Sequence, residues 1–297
     1  MVKIVEVGLR DGLQNESTFI PTEIKVECIQ GLIAAGLKHL EVTSFVHPKW
    51  IPSLRDADKL VTSLPRVHEV SYRALVPNRR GLERALAADI DEVAVFLSAS
   101  ETHNKKNINQ SIADSLTSMQ EVTALAISAK KKVRGYVSTV FGCPYEGKVS
   151  HRQVIEICER LLSYGVYEIS LGDTIGVATP KQVKQMLRSL GEYVPMRTLA
   201  GHFHDTHGTA LANSYVALEE GISTLDSSFG GLGGCPYAPG AAGNMATEDL
   251  IYMLEGNGVS TGVNLSNLCA VSVKLQEWLQ KPLPSRVLHH YVAAAKR

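Results

Sequence analysis

Two histidines one residue apart close an apolar run, in the stretch Gly201-His202-Phe203-His204-Asp205-Thr206-His207-Gly208. Side chains two apart on a β-strand point to the same face, so if residues 194–200 lead into a strand, His202 and His204 stand side by side. Neutral imidazole is among the commonest metal ligands, and two rings facing one way at the mouth of a pocket can share a divalent cation. An isolated His-x-His is more often a pair of core histidines satisfied by hydrogen bonds. The rest of the chain has to decide.

Its other unusual residues are charged or amide. Arg10 and Asp11 follow a β-branched run in Val7-Gly8-Leu9-Arg10-Asp11-Gly12, where by themselves they read as an ion pair bracing a loop. Glu41 belongs to a run that passes into Thr43-Ser44, and another run passes into Gly172-Asp173-Thr174. Charges among strands that should be Val, Ile or Leu cost several kcal/mol each unless they compensate one another or hold a cation. Asp11, His202 and His204 supply one carboxylate and two imidazoles, leaving positions for water or a substrate oxygen. Asn244 can add a carbonyl oxygen, although alone it reads as a turn residue or a helix N-cap ahead of Ala246. Such an oxygen and nitrogen set without thiolate suits Mg2+ or Mn2+, with Zn2+ left open.

One stretch cannot be regular structure: Ser228-Phe229-Gly230-Gly231-Leu232-Gly233-Gly234-Cys235-Pro236-Tyr237-Ala238-Pro239-Gly240-Ala241-Ala242-Gly243-Asn244. It lacks the Gly-Lys-Ser/Thr ending of a phosphate-binding P-loop and opens no dinucleotide motif after the first strand. The expectation is a mobile lid that closes over a substrate and delivers Cys235, since a thiol has little reason to sit in such a loop unless its chemistry is used. The bland alternative is a small hydrophobe in a turn.

These residues need a frame. Eight β-branched runs, at 3–7, 39–43, 70–75, 92–96, 133–140, 168–171, 199–204 and 223–227, alternate with amphipathic helix-length segments, as in Ile24, Ile29, Leu32, Ile33 or Val154, Ile157, Leu161, Leu162. Pro21-Thr22 and Pro180 mark helix starts, and Gly36 and Gly165 mark helix stops. Alternation of this kind requires a parallel sheet, and eight repeats predict an α/β fold of the (β/α)8 TIM-barrel type, with a doubly wound open sheet second. In that barrel the strand ends that carry Arg10-Asp11, Glu41, Asp173 and the two histidines share one face. The barrel is expected over about 1–255 and an appended helical segment over about 256–297, the whole being one domain.

Lys+Arg and Asp+Glu both number 30 in the 297 residues, so no electrostatic pull toward nucleic acid is expected. No apolar run approaches the ~18 residues that span a bilayer, so no membrane partner is expected either. The start Met1-Val2-Lys3-Ile4 shows no presequence, and the five cysteines form no C-x-x-C, both of which suggest a reducing, cytoplasmic setting.

Taken together these motifs resemble the 3-hydroxy-3-methylglutaryl-CoA lyases over nearly the whole chain. The resemblance is carried by Val5-Glu6-Val7-Gly8-Leu9-Arg10-Asp11-Gly12-Leu13-Gln14-Asn15-Glu16, Arg134-Gly135-Tyr136-Val137-Ser138, Gly142-Cys143-Pro144-Tyr145-Glu146-Gly147, Ser170-Leu171-Gly172-Asp173-Thr174-Ile175-Gly176, Gly231-Leu232-Gly233-Gly234-Cys235-Pro236-Tyr237 and Ala246-Thr247-Glu248-Asp249-Leu250. The Arg-Asp and His-x-His pieces are shared with wider metal-dependent lyases and Claisen-type synthases, whereas the cysteine lid is particular to the lyase. The resemblance implies a TIM barrel, Mg2+ or Mn2+, an acyl-CoA substrate, a homodimer, and cleavage of 3-hydroxy-3-methylglutaryl-CoA to acetyl-CoA and acetoacetate, as in leucine degradation and ketone body formation. By the same resemblance Asp11, His202, His204 and Asn244 are metal ligands, Arg10 stabilises the substrate, Cys235 is catalytic, and Glu41 and Asp173 are active-site residues that bind substrate. Leu9 stands where the family often has proline, and His207 where tyrosine is common.

The expected chemistry is a retro-Claisen cleavage, with His202 or Asp11 as base, Arg10 facing the enolate and Cys235 as proton donor. A Claisen-type synthase or another acyl-CoA lyase on the same barrel, and a barrel serving only as a metal-dependent binding module, are the competing readings.

Overall fold

In the computed structural model, which describes residues 2–234 and 243–295, eight strands run in parallel, each paired with the next and β1 (Lys3–Glu6) with β8 (Thr224–Ser227), so the sheet closes into a barrel in simple chain order. Between them lie β2 (His39–Ser44), β3 (Ser71–Leu75), β4 (Glu92–Ser98), β5 (Lys132–Ser138), β6 (Glu168–Asp173) and β7 (Leu199–Phe203). Each expected run overlaps one of these strands, with ends shifted by up to two residues. His204 lies just past β7, where it makes an isolated antiparallel bridge with Asn244.

The helices that return the chain along the outside are α1 (Thr22–Ala34), α2 (Ala57–Thr62), α3 (Arg79–Ala87), α4 (Glu101–Ile108), α5 (Ile112–Ser128), α6 (His151–Ser163), α7 (Pro180–Gly191), α8 (Ala210–Glu219) and α9 (Thr247–Gly256). Several begin on the signals their sequences carry. Pro180 opens α7 behind a capping box formed by Thr179 and Gln182, and Asn78 and Ser111 accept from the third backbone N–H of α3 and α5. Their inward faces, such as Val154, Ile157 and Leu161 of α6, join strand residues such as Val93, Val95 and Ile169 in one core.

The tail is α10 (Leu265–Leu279) and α11 (Arg286–Ala294), with Asn264 as the N-cap of the first. It is not loose. Gly36, with φ at +107°, brings the end of α1 against the segment before α10, where an added Cβ would lie 2.3 Å from the Gly262 carbonyl oxygen, and Asn264 N–H donates to Ala35 O at 2.7 Å. No described helix is long and apolar enough to cross a membrane.

Inside, the barrel is unusually charged. Arg73, Glu92, Arg134, Glu168 and Asp226 are all buried in it, and each finds an opposite charge on another strand, as Arg134 Nε does with Glu168 Oε1 at 2.7 Å. This column of paired charges continues upward into the strand ends.

Candidate active site

At the C-terminal ends of the strands, Asp11, His202 and His204 come together, all buried, with one ligand atom from each lying within 4.8 Å of the others. Three elements bring them there. Asp11 sits in a π-helical turn, Gly8–Gly12, that follows β1; His202 is on β7; His204 is one residue beyond it. The histidine rings stand 5.2 Å apart between centroids, as the two-residue period of a strand requires, and the Nε2 atom of each is 3.8 Å from Asp11 Oδ2.

Electrostatics prepare the group for a cation. Burial pushes the Asp11 carboxyl up, but Arg10, then His202, His204 and the Asn244 amide outweigh it and hold it at about 2. Burial, with the neighbouring His202, takes His204 down to about 4, so its ring is neutral at physiological pH. An anionic carboxylate beside a neutral imidazole, with a second ring at 5.2 Å, fits a divalent cation of the Mg2+, Mn2+ or Zn2+ type. Asn244 joins the cluster through its side chain, whose Nδ2 donates to Asp11 Oδ2 at 2.8 Å and to Leu232 O at 3.2 Å. It does not cap α9, whose N-cap is Ala246. Gly233, with φ at +134°, makes room for that amide: an added Cβ would stand 2.6 Å from Asn244 Nδ2.

Arg10 is the buried neighbour of this cluster. Its Nη1 donates to Asp11 Oδ1 at 2.5 Å, its Nε bonds Glu41, and the guanidinium lies 5.2 Å from the Tyr136 ring. Burial opposes its charge, yet Glu41 and Asp11 prevail and raise its pKa further. The Arg10–Asp11 ion pair anticipated for a loop does form, so it and the convergence on the histidines occur together.

A cavity of about 540 Å³ opens over these groups, within the range of small-molecule sites. Arg10, Asp11, Tyr136, His202 and His204 line it, and it reaches exposed Trp50, the Asn107 end of α4 and Met119 of α5. Gly234 also lines it, held by Asn15 Nδ2 at 2.7 Å. Cys235, the next residue, lies outside the described residues.

Glu41 and Asp173 stand behind the wall rather than on it. Glu41 is fully buried between Arg10 and the Tyr136 hydroxyl, which donates to it at 2.7 Å. Asp173 accepts from the Val177 and Ala178 N–H groups, each at 3.0 Å, and burial raises its carboxyl to about 6 despite those donors. Lys105 and Lys106 fall on α4, the first paired with Glu101 at 3.2 Å and the second 4.1 Å from the Tyr145 ring centroid, and neither lines the cavity. Two residues of the site were not singled out from the sequence: Tyr136, on its wall, and Asp226, beneath His202. No local sequence pattern marks either, since β5 reads Lys-Val-Arg-Gly-Tyr-Val-Ser and β8 Thr-Leu-Asp-Ser.

Residues 1–274 match the HMGL-like family. The chain is 54% identical over 287 residues to the hydroxymethylglutaryl-CoA lyase YngG of Bacillus subtilis, covering 97% of this chain and 96% of that protein. The crystal structure of the Bacillus subtilis HMG-CoA lyase superposes with a TM-score of 0.96 at 53% identity, over 98% of this chain and 97% of that one. An HMG-CoA lyase from A. baumannii, solved in complex with coenzyme A and 3-methylmalate, superposes with a TM-score of 0.92 at 40% identity, over 97% and 94% of the two chains.

Proposed function

The chain belongs to the hydroxymethylglutaryl-CoA lyases of the HMGL-like family, and from that premise we propose how its residues divide the cleavage of 3-hydroxy-3-methylglutaryl-CoA to acetyl-CoA and acetoacetate. The observation that carries the reading is the meeting of Asp11, His202 and His204 beside Arg10 on one cavity wall. Asp11, His202 and His204 would hold Mg2+ or Mn2+, and Asn244 would join them with its amide turned over to present Oδ1 in place of Nδ2. When bound, the cation would supply a Lewis acid that favours loss of the substrate's hydroxyl proton.

Asp11, the ligand with a second carboxylate oxygen, takes that proton as the bond between the second and third carbons of the acyl chain breaks, leaving the third carbon as the ketone of acetoacetate. The bond's electron pair moves to the thioester as an enolate. Arg10, whose guanidinium stays charged at any working pH, faces that developing charge, and Glu41 and Tyr136 fix the direction in which it points. Cys235 then donates a proton to the enolate carbon, releasing acetyl-CoA. The hold of Asn15 on Gly234 at the cavity wall supports this role, because it ties the approach to Cys235 to the site. Asp173 sets the loop after β6 through its two backbone hydrogen bonds. Residues 1–297 act as one domain, the helices from about 256 being bound to α1, and the active protein is a homodimer.

The test is to incubate Mg2+-loaded protein with 3-hydroxy-3-methylglutaryl-CoA and measure acetoacetate with and without chelator. Acetoacetate that disappears on chelation is expected. No product with the cation present, or equal product after chelation, refutes the reading, and consumption of acetyl-CoA in its place would identify a synthase.

A further inference from the structure

His202 has a carboxylate behind it. Asp226 of β8 is 2% exposed and points into the barrel, where its Oδ2 lies 3.2 Å from His202 Nδ1, on the side of the ring away from Asp11. The same carboxylate is clamped. Its Oδ1 accepts from Arg134 Nη2 at 2.7 Å, and Oδ2 accepts from Arg134 Nη1 at 3.1 Å and from Ser170 Oγ at 2.7 Å. Arg134 is held in turn by Glu168. The His202 ring also meets Tyr136 edge to face, at 84° and 6.2 Å, so both its plane and its rotation are constrained.

We propose that Asp226 is a positioning residue for the lyase reaction: clamped by Arg134 and Ser170, it fixes His202 as the Nδ1–H tautomer and aims the Nε2 lone pair at the cation position. The proposal rests on the reading of Asp11, His202 and His204 as ligands. A carboxylate gripped at both oxygens by an arginine only accepts hydrogen bonds, so the ring nitrogen that faces it must carry the proton. Nε2 is then left with its lone pair toward Asp11, as coordination requires. A purely structural pair would need only Arg134. Here the remaining acceptor site is spent on one of the two histidines, while Nδ1 of His204 is buried with no hydrogen-bond partner among the described residues, and the backbone bridge to Asn244 holds that residue instead. An arginine–carboxylate pair this deep adds little stability over an apolar pair of equal volume, so its distinctive effect is orientation.

The test uses the full-length enzyme labelled with 15N-histidine. In the metal-free protein, NMR should show His202 protonated at Nδ1 and bare at Nε2. In Asp226→Asn the side-chain amide can donate to Nδ1, so the proton should move to Nε2, and the Mn2+ dissociation constant, read by electron paramagnetic resonance, should rise about 10- to 100-fold. Ser170→Ala, which removes one clamp and no charge, should raise it roughly 2- to 5-fold with the tautomer partly shifted. An unchanged tautomer together with Mn2+ affinity within twofold in Asp226→Asn overturns the proposal. If that variant does not fold, the same result in Ser170→Ala does so. Wild-type protein that binds no Mn2+ would end the cation reading instead, while the tautomer of the metal-free ring still decides the role of Asp226.

Discussion

Glu6→Gln should flatten the fall in stability of this protein between pH 6 and pH 8. Glu6 is 1% exposed and joins three segments of the site: its Oε1 accepts from Gly8 N–H at 2.7 Å and Phe229 N–H at 3.0 Å, and its Oε2 bonds Thr247 Oγ1 at 2.6 Å. Gly8 begins the turn that carries Arg10 and Asp11, and Thr247 follows closely on Asn244. Burial raises the Glu6 carboxyl from 4.5 to about 8, against the hydrogen bonds, which lower it. Burial likewise raises Glu248, which accepts from Gly230 N–H, to about 7. Between 4.5 and about 8 the folded protein therefore holds a proton on Glu6 that the unfolded chain has released. Stability from that group is full below the lower value and is lost as pH rises through the upper one. At about 1.36 kcal/mol per unit, Glu6 removes about 2 kcal/mol between pH 6 and 8, and Glu248 about 1 kcal/mol more. With a urea dependence of about 3 kcal/mol per molar, these two carboxyls take about 1 M from the wild-type midpoint over that range, against which His39 and His204, held at about 4 when folded, return about 0.5 M as their unfolded rings lose their protons. Glutamine keeps an acceptor for the two amides and a donor for Thr247, so the variant should be spared the part due to Glu6, about 0.7 M. Urea melts from pH 5 to 9 measure both slopes. Equal slopes in the two proteins refute the argument that the Glu6 carboxyl is folded in the protonated form.

Other changes probe the chemistry and the frame. Arg10→Met should lower kcat about 10²- to 10³-fold, as loss of an oxyanion donor does, with KM little changed; steady-state acetyl-CoA release checks it. Cys235→Ala should lower kcat by about 10² to 10⁴ with Mn2+ stoichiometry unchanged by atomic absorption, because a proton donor is lost and no ligand is. Gly36→Ala should cost at least about 2 kcal/mol by urea melts, since a methyl group meets the Gly262 carbonyl oxygen at 2.3 Å on a backbone with φ of +107°.

The barrel was legible because strands buried on both faces read as continuous β-branched runs, and runs such as Val93–Val95 of β4 have no helical period to confuse them. Helix α4 was not, since Glu101-Thr102-His103-Asn104-Lys105-Lys106-Asn107-Ile108 has no apolar stripe and is set by its Ser100 cap. The histidine pair could be read from its two-residue spacing, and Asp11 from the rule that barrel chemistry gathers at one end of the strands. Asp226 could not. What gives it meaning is Arg134, 92 residues earlier, and a ring nitrogen on the adjoining strand, and no local pattern joins the three. Glu41 and Asp173 were expected from the resemblance to bind substrate; in the fold their own bonds run to Arg10, Tyr136 and the loop amides.

The first and last strands pair with each other, and the residues read as ligands come from just past β1, from β7 and its end, and from the connection between β8 and α9. A cation gripped there acts as a clasp across the junction where the two ends of the polypeptide cylinder meet, and it has nothing to grip until that junction has formed. Affinity for the ion is therefore also a gauge of closure: at one hundred times its dissociation constant it adds about 2.7 kcal/mol to the closed form, and fragments missing either end strand should show none of that gain.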